Sequence, residues 1–216
     1  MSTNISKFKD YSGTHPISEG QHHAVCNGVV DLGVQLATYF GKVRNEHQIL
    51  ISFEFPNELY EYQDELRIRS LSKIFAASIT VNSYLRQALK ALRRRDLTQE
   101  DLIAFNLKDL IGLHCMITIT HNVNKLKGKT YANITEINEI AESISTPPPE
   151  MPFHFDSEDE STWGSFVTLP LWIQNKINQN QNFILFGVMV DKDGKKIARL
   201  DNIQDMEEDV EDDLPF

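Results

Sequence analysis

Cysteine is almost missing from this chain. Cys26 and Cys115 are the only two in 216 residues, too few for a disulfide framework, and no CxxC pair points to a zinc ribbon or a redox motif. Both thiols are therefore expected to be reduced. No apolar run approaches the roughly 18 residues that a membrane span needs, and the polar start MSTNISKFKDYSG lacks the apolar core of a signal peptide. A cytoplasmic address and no membrane partner follow as expectations. Catalytic constellations are missing too: no Ser/His/Asp or Cys/His order stands out, and the scattered carboxylates form no pair. Gly128-Lys129-Thr130 imitates the end of a phosphate loop, but Val123 stands where the earlier glycine belongs. Asp191, Asp193 and Gly194 resemble the start of a calcium loop, yet Lys195 takes the third ligand position. The chain is expected not to be an enzyme and to carry no cofactor.

Basic residues vanish from the last sixteen positions. The net charge of −10 is accordingly uneven: Met1 to Pro149 holds 16 Lys/Arg against 16 Asp/Glu, Glu150 to Leu200 holds 5 against 7, and Asp201 to Phe216 holds none against 8. A neutral body can carry local basic patches, whereas a terminal block of like charge repels itself into disorder.

What the body does contain is alternation. Gly20 to Leu36 mixes β-branched residues with Gly28 and Gly33, as a long strand kinked at its glycines would. His47 to Phe55 alternates Ile49, Ile51, Phe53 and Phe55 with polar residues, and Pro56-Asn57 is expected to end it. Leu66 to Ser78 alternates again, with Leu66, Ile68, Ile74 and Ala76 on one side and Arg67, Arg69, Lys73 and Phe75 on the other, expected outer, face. The period then becomes helical from Ser83 to Arg95, with Asn82 as the expected cap and Leu85, Ala88, Leu89 and Leu92 on one stripe. Thr98 with Asp101 has the form of a capping box opening a short second helix. His114 to His121 and Thr130 to Ile137 read as two further strands joined by the basic loop 122–129.

Three strands, a helix and two strands is the succession of a five-stranded OB-type barrel with a helical insert between strands 3 and 4, so the fold class is expected to be mainly β. The barrel domain is placed at 1–145. Residues 146–200 read as a Pro-rich and acidic linker (Thr146 to Pro152, Asp156 to Glu160) followed by an amphipathic segment, with Pro170 in its first turn or breaking it, and a hairpin around Asp193-Gly194. Residues 201–216 form an acidic tail for protein contacts.

Single strands of nucleic acid are held by cations that follow phosphates and by aromatic rings on which bases stack. Arg67, Arg69, Lys73 and Phe75 on the third strand, Lys125, Lys127, Lys129 and Tyr131 around the last loop, and Lys42 and Arg44 after Tyr39 and Phe40 supply both. These ten residues are the expected single-stranded DNA site. Arg93, Arg94 and Arg95 are left out, because a helix C-terminus attracts cations in any case. His22, His23, Cys26, His114, Cys115 and His121 lie on strands that neighbour one another in such a barrel, but alternation would scatter them over two faces, so no metal site is expected.

The chain ends EEDVEDDLPF, and its tip resembles the acidic, Pro-Phe-terminated tip of bacterial single-stranded DNA-binding proteins. The segments GVVDLGVQ, LSKIFAAS, LRQALKALRRR and FNLKDLIGLHCMITITH, within Gly20 to Ile137, resemble phage-encoded OB proteins of replication and recombination modules. That resemblance implies a non-enzymatic protector of single-stranded DNA in replication, recombination and repair, working in the host cytoplasm if phage-encoded. It also implies that Asp212, Asp213, Leu214, Pro215 and Phe216 recruit replication or recombination proteins. The tetramer-forming bacterial pattern is absent, and a homo-oligomer stays open. The alternative is a recombination accessory or inhibitor that acts through protein contacts, its acidic segments mimicking DNA.

Overall fold

The computed structural model describes residues 16–125, 128–141 and 147–180, together with the backbone of two short strands further on. Lys127 and the tail 201–216 lie outside the described residues. Five long strands dominate: β1 (Gly20–Tyr39), β2 (Lys42–Tyr62), β3 (Glu65–Ala76), β4 (His114–Asn124) and β5 (Lys129–Asn138). They form an antiparallel sheet in the order β3-β2-β1-β4-β5. The sheet curls into a nearly closed barrel, and at its seam the Lys73 ammonium of β3 donates to the Ile134 carbonyl of β5 at 2.5 Å. Between β3 and β4 come the helices α1 (Tyr84–Arg93) and α2 (Asp101–Ala104).

One core fills the barrel. Ala24, Cys26, Val29, Ile51, Phe53, Phe55, Leu71, Phe75, Cys115, Ile117 and Ile134 meet there, and Leu85, Ala88, Leu89 and Leu92 of α1 plug it with the stripe expected from the sequence. Ser83, not Asn82, caps α1, its hydroxyl accepting from the Arg86 amide at 3.2 Å. The Thr98–Asp101 box forms as expected, with Thr98 Oγ1 accepting from the Asp101 amide and the Asp101 carboxylate from the Thr98 amide. Arg95 and, less strongly, Arg93 clasp Asp101 and hold its carboxyl far below the usual range. These arginines brace the connection after α1.

Phe75 corrects one expectation. It is only 4% exposed and belongs to the barrel core, not to an outer basic face. Alternation separates two faces of a strand but does not say which face is the inside, and here Ile74, on the other side, points to a second apolar layer. Pro56 corrects another. It does not end β2 but sits in a register shift between Phe55 and Leu59, where a residue without an amide hydrogen costs no ladder bond.

The second layer comes from residues 153–178, which span the end of the stretch read as a linker and the amphipathic segment read after it. Its strand β6 (Phe153–Phe155) pairs parallel with Gly28–Val30 of β1, a 3-10 helix runs over Glu160–Thr168, and α3 (Leu171–Asn178) follows with Pro170 at its N-cap. Phe155, Phe166, Leu169, Ile173 and Ile177 bury Val30, Leu32 and Leu50 on the outside of the barrel. Gly28 and Gly33 of β1 make room for this layer. Both sit at register shifts that bend the strand; a Cβ on Gly28 would collide with the Phe153 ring, and one on Gly33 with the Asn180 side chain. Glu54, buried in β2, accepts from Asn27 Nδ2 at 3.1 Å and from the amides of Glu150 and Met151 at 2.8 and 3.0 Å, pinning the incoming chain. Further on, β7 (Met189–Val190) pairs with β8 (Lys196–Ile197), within the hairpin read around Asp193-Gly194. Among the described residues no helix is long and apolar enough to cross a membrane.

Burial also sets the cysteine chemistry. Desolvation in the barrel core pushes the Cys26 thiol up to about 12 and the Cys115 thiol upward as well. Neither forms a thiolate near neutrality, so native protein should stay unlabelled by a thiol-specific reagent such as DTNB and take up two equivalents only when unfolded. Rapid labelling of native protein would contradict this packing.

Candidate nucleic-acid interface

Strand direction decides which hairpins share an end. β2 and β4 both run against β1, so the β2–β3 and β4–β5 turns lie where β1 begins, and the β1–β2 turn lies at its far end.

At the near end, the outer part of the β2–β3 hairpin carries alternating rings and guanidinium groups. Tyr60 pairs with Arg67 and Tyr62 with Glu65 across the strands. The Arg67 guanidinium carbon lies 4.9 Å from the Tyr62 ring centre, and that of Arg69 lies 5.3 Å from the Tyr60 ring. Tyr60 and Tyr62 were missed in the sequence, because β2 was ended at Pro56; the alternation of Leu59 and Glu61 against Tyr60 and Tyr62 is the signal that would have found them. Arg67 also pairs with Glu65 at 3.3 Å. Burial draws the Arg69 guanidinium below its ordinary value, with the Glu58 carboxylate and Tyr60 pulling the other way.

The β4–β5 hairpin lies at the same end. Lys125 is exposed in the turn, Lys129 is exposed opposite Asn124, and half-buried Tyr131 faces Asn122. Residues 122–135 contain three lysines and no acid.

The remaining expected residues separate. Lys73 is half-buried at the seam, where its ammonium holds the Ile134 carbonyl and sits 5.9 Å from the Phe75 ring; burial lowers its pKa. It acts as a strut between β3 and β5. Lys42 and Arg44 lie at the far end, on the tip of the β1–β2 hairpin. Arg44 lies over the Tyr39 ring at 4.8 Å and pairs with Glu46 at 2.6 Å. The structure thus brings Arg67, Arg69, Lys125, Lys129 and Tyr131 to one end and leaves Lys42 and Arg44 at the other.

The histidines and cysteines do not converge. Cys26 and Cys115 face the barrel core; His22 donates from Nε2 to the Ser18 carbonyl and meets Glu58; His121 is bonded to the Ile17 carbonyl. Among the described residues no group of three or more His, Cys, Asp or Glu is placed to hold a metal ion. His23 Nε2 and His114 Nδ1 instead meet each other at 3.3 Å across the β1–β4 ladder. Burial lowers both pKa values, and the charges of His23 and Arg94 lower that of His114 further. Folding therefore disfavours the protonated forms. Their contribution is full above the unfolded value near 6.5 and is lost as pH falls below it, so the melting temperature should drop between pH 7 and pH 5. In His114→Asn that drop should shrink; an unchanged pH profile would contradict the coupling.

Compared with protein-family models and with curated proteins, the sequence gives no match to either.

Proposed function

We propose that this protein binds single-stranded DNA through an OB-type barrel with its helical insert between β3 and β4, and recruits replication or recombination proteins through Asp212, Asp213, Leu214, Pro215 and Phe216. The observation that carries the reading is the shared end of the barrel, where the β4–β5 hairpin with exposed Lys125 and Lys129 and the β2–β3 hairpin with its alternating tyrosines and arginines both lie. Lysines there would follow phosphates, and Tyr60, Tyr62 and Tyr131 would take bases at about 1–3 kcal/mol each. The strand order supports the fold reading: the seam joins β3 to β5, which run in the same direction, and a helix plugs the barrel. Binding is not catalysis, and the site needs no activated group.

One observation favours the alternative, an accessory protein acting through protein contacts. Arg44 and Arg67 each pair with a carboxylate, and Arg69 lies in the field of Glu58, which blunts their attraction for phosphates. Retention on single-stranded DNA cellulose separates the two readings. The DNA reading expects retention at low salt and elution as salt rises. Flow-through at every salt concentration favours the accessory protein. Removing residues 201–216, eight acids and no base, should tighten DNA binding most at low salt, because a tethered polyanion competes with DNA. Equal affinity of the full and shortened chains would contradict that competition.

A further inference from the structure

The β1–β2 hairpin continues past the barrel. Pairing of β2 with β3 stops at Gln48–Ala76, and among the described residues the last side chains that tie β1 to the outer layer are Asn180, bonded to the Val34 amide, and Gln35, bonded to the Lys176 carbonyl. Beyond them the pairs Leu36–Asn45, Ala37–Arg44, Thr38–Val43 and Tyr39–Lys42 form a two-stranded ribbon, about 13 Å long at the usual rise per residue. Leu36, Tyr39, Phe40 and Val43 are all exposed on it.

Phe40 is out of place by every structural criterion. The turn has positive φ at both central residues, 47° at Phe40 and 75° at Gly41, a geometry that favours Asn, Asp or Gly and disfavours a bulky side chain. The ring recovers nothing by burial, being 89% exposed. It is nonetheless braced: the Tyr39 ring stands edge-on to it at 4.5 Å, and Arg44 lies over Tyr39. Arg44 is paired with Glu46, which leaves the tip aromatic first and cationic second. Such a tip is poorly suited to following phosphates and well suited to stacking on the flat end of a base-paired stem, with Lys42 near the backbone.

We propose that this ribbon is a junction pin: Phe40 stacks on the terminal base pair where a single strand leaves a duplex, while the tail crosses the barrel to the β2–β3 and β4–β5 hairpins at its other end. The proposal rests on the single-strand reading above and names the substrate class as tailed duplexes. It is tested on the full chain with two probes, a plain dT oligonucleotide and a DNA hairpin carrying a dT tail of the same length. The variant is Phe40→Asn, which suits the turn and so preserves the ribbon. Wild type is expected to bind the tailed hairpin about tenfold more tightly than the plain strand, the equivalent of one stacking contact. Phe40→Asn is expected to lose that preference and keep plain-strand affinity within about twofold. Equal affinity of wild type for the two probes overturns the pin, as does a variant that retains the preference or loses both probes alike. Failure of wild type to bind either probe overturns the single-strand reading and the pin with it.

Discussion

Gly28→Ala should destabilise the protein by about 3 kcal/mol, more than a surface change of one methyl ever does. The added Cβ has no room, because the Phe153 ring lies directly on Gly28. The ring cannot simply retreat, since it packs against the layer built from Phe155, Phe166, Ile173 and Ile177. Overpacking alone costs about 1–3 kcal/mol, and lifting β6 would expose Val30 and Leu50, worth about 1.5–3 kcal/mol apiece when fully buried. Urea denaturation measures the loss, and limited proteolysis should show new cleavage within 147–180. Phe153→Ala in the same chain should restore part of the stability, so the two changes should be far from additive. Additive losses would mean that Gly28 and Phe153 do not oppose one another.

The second large effect concerns DNA. Replacing Lys125, Lys127 and Lys129 together by Ala should weaken binding to single strands at least about tenfold at low salt and flatten the slope of log affinity against log salt by about 2, at roughly 0.7 per phosphate contact. The melting temperature should hold, because Lys125 and Lys129 are exposed. The same experiment on Lys73→Ala should behave differently: that ammonium bridges the barrel seam to Ile134, so its loss should lower stability before it lowers affinity. An unchanged salt slope in the triple variant would move the phosphate path away from the β4–β5 hairpin.

The elements easiest to read were those with one buried face. Ile49, Ile51, Phe53 and Phe55 mark β2, and the stripe Leu85, Ala88, Leu89 and Leu92 marks the plug, since each buries one side at its own period. Reading failed where both faces are covered. Ala24 to Val30 is buried without a break because the barrel core takes one side and other parts of the chain the other, and that second cover comes from residues more than a hundred positions away. Composition made the start of that cover look like a linker, since Pro147, Pro148 and Pro149 and the acids of 156–160 say nothing about Phe155, and the amphipathic segment after it gave no sign that Phe166 packs tilted against Phe155 at 5.8 Å. Phe75 was assigned to the wrong face for the related reason that alternation has no sign. In the candidate site, the lysines of the β4–β5 loop were legible as an acid-free run, while Tyr60 and Tyr62 were hidden behind Pro56.

Fluorescence offers the most direct measurement. Trp163 and Trp172 pack against the outer layer, whereas Tyr60, Tyr62 and Tyr131 belong to the two hairpins at the proposed DNA end, so titration with dT oligonucleotides of increasing length should quench tyrosine emission and leave tryptophan emission nearly constant. The account predicts saturable quenching whose affinity rises with length up to a plateau and falls as salt is raised. Tyrosine emission that stays constant with every length at low salt, or binding to duplex as tight as to single strand, would contradict it.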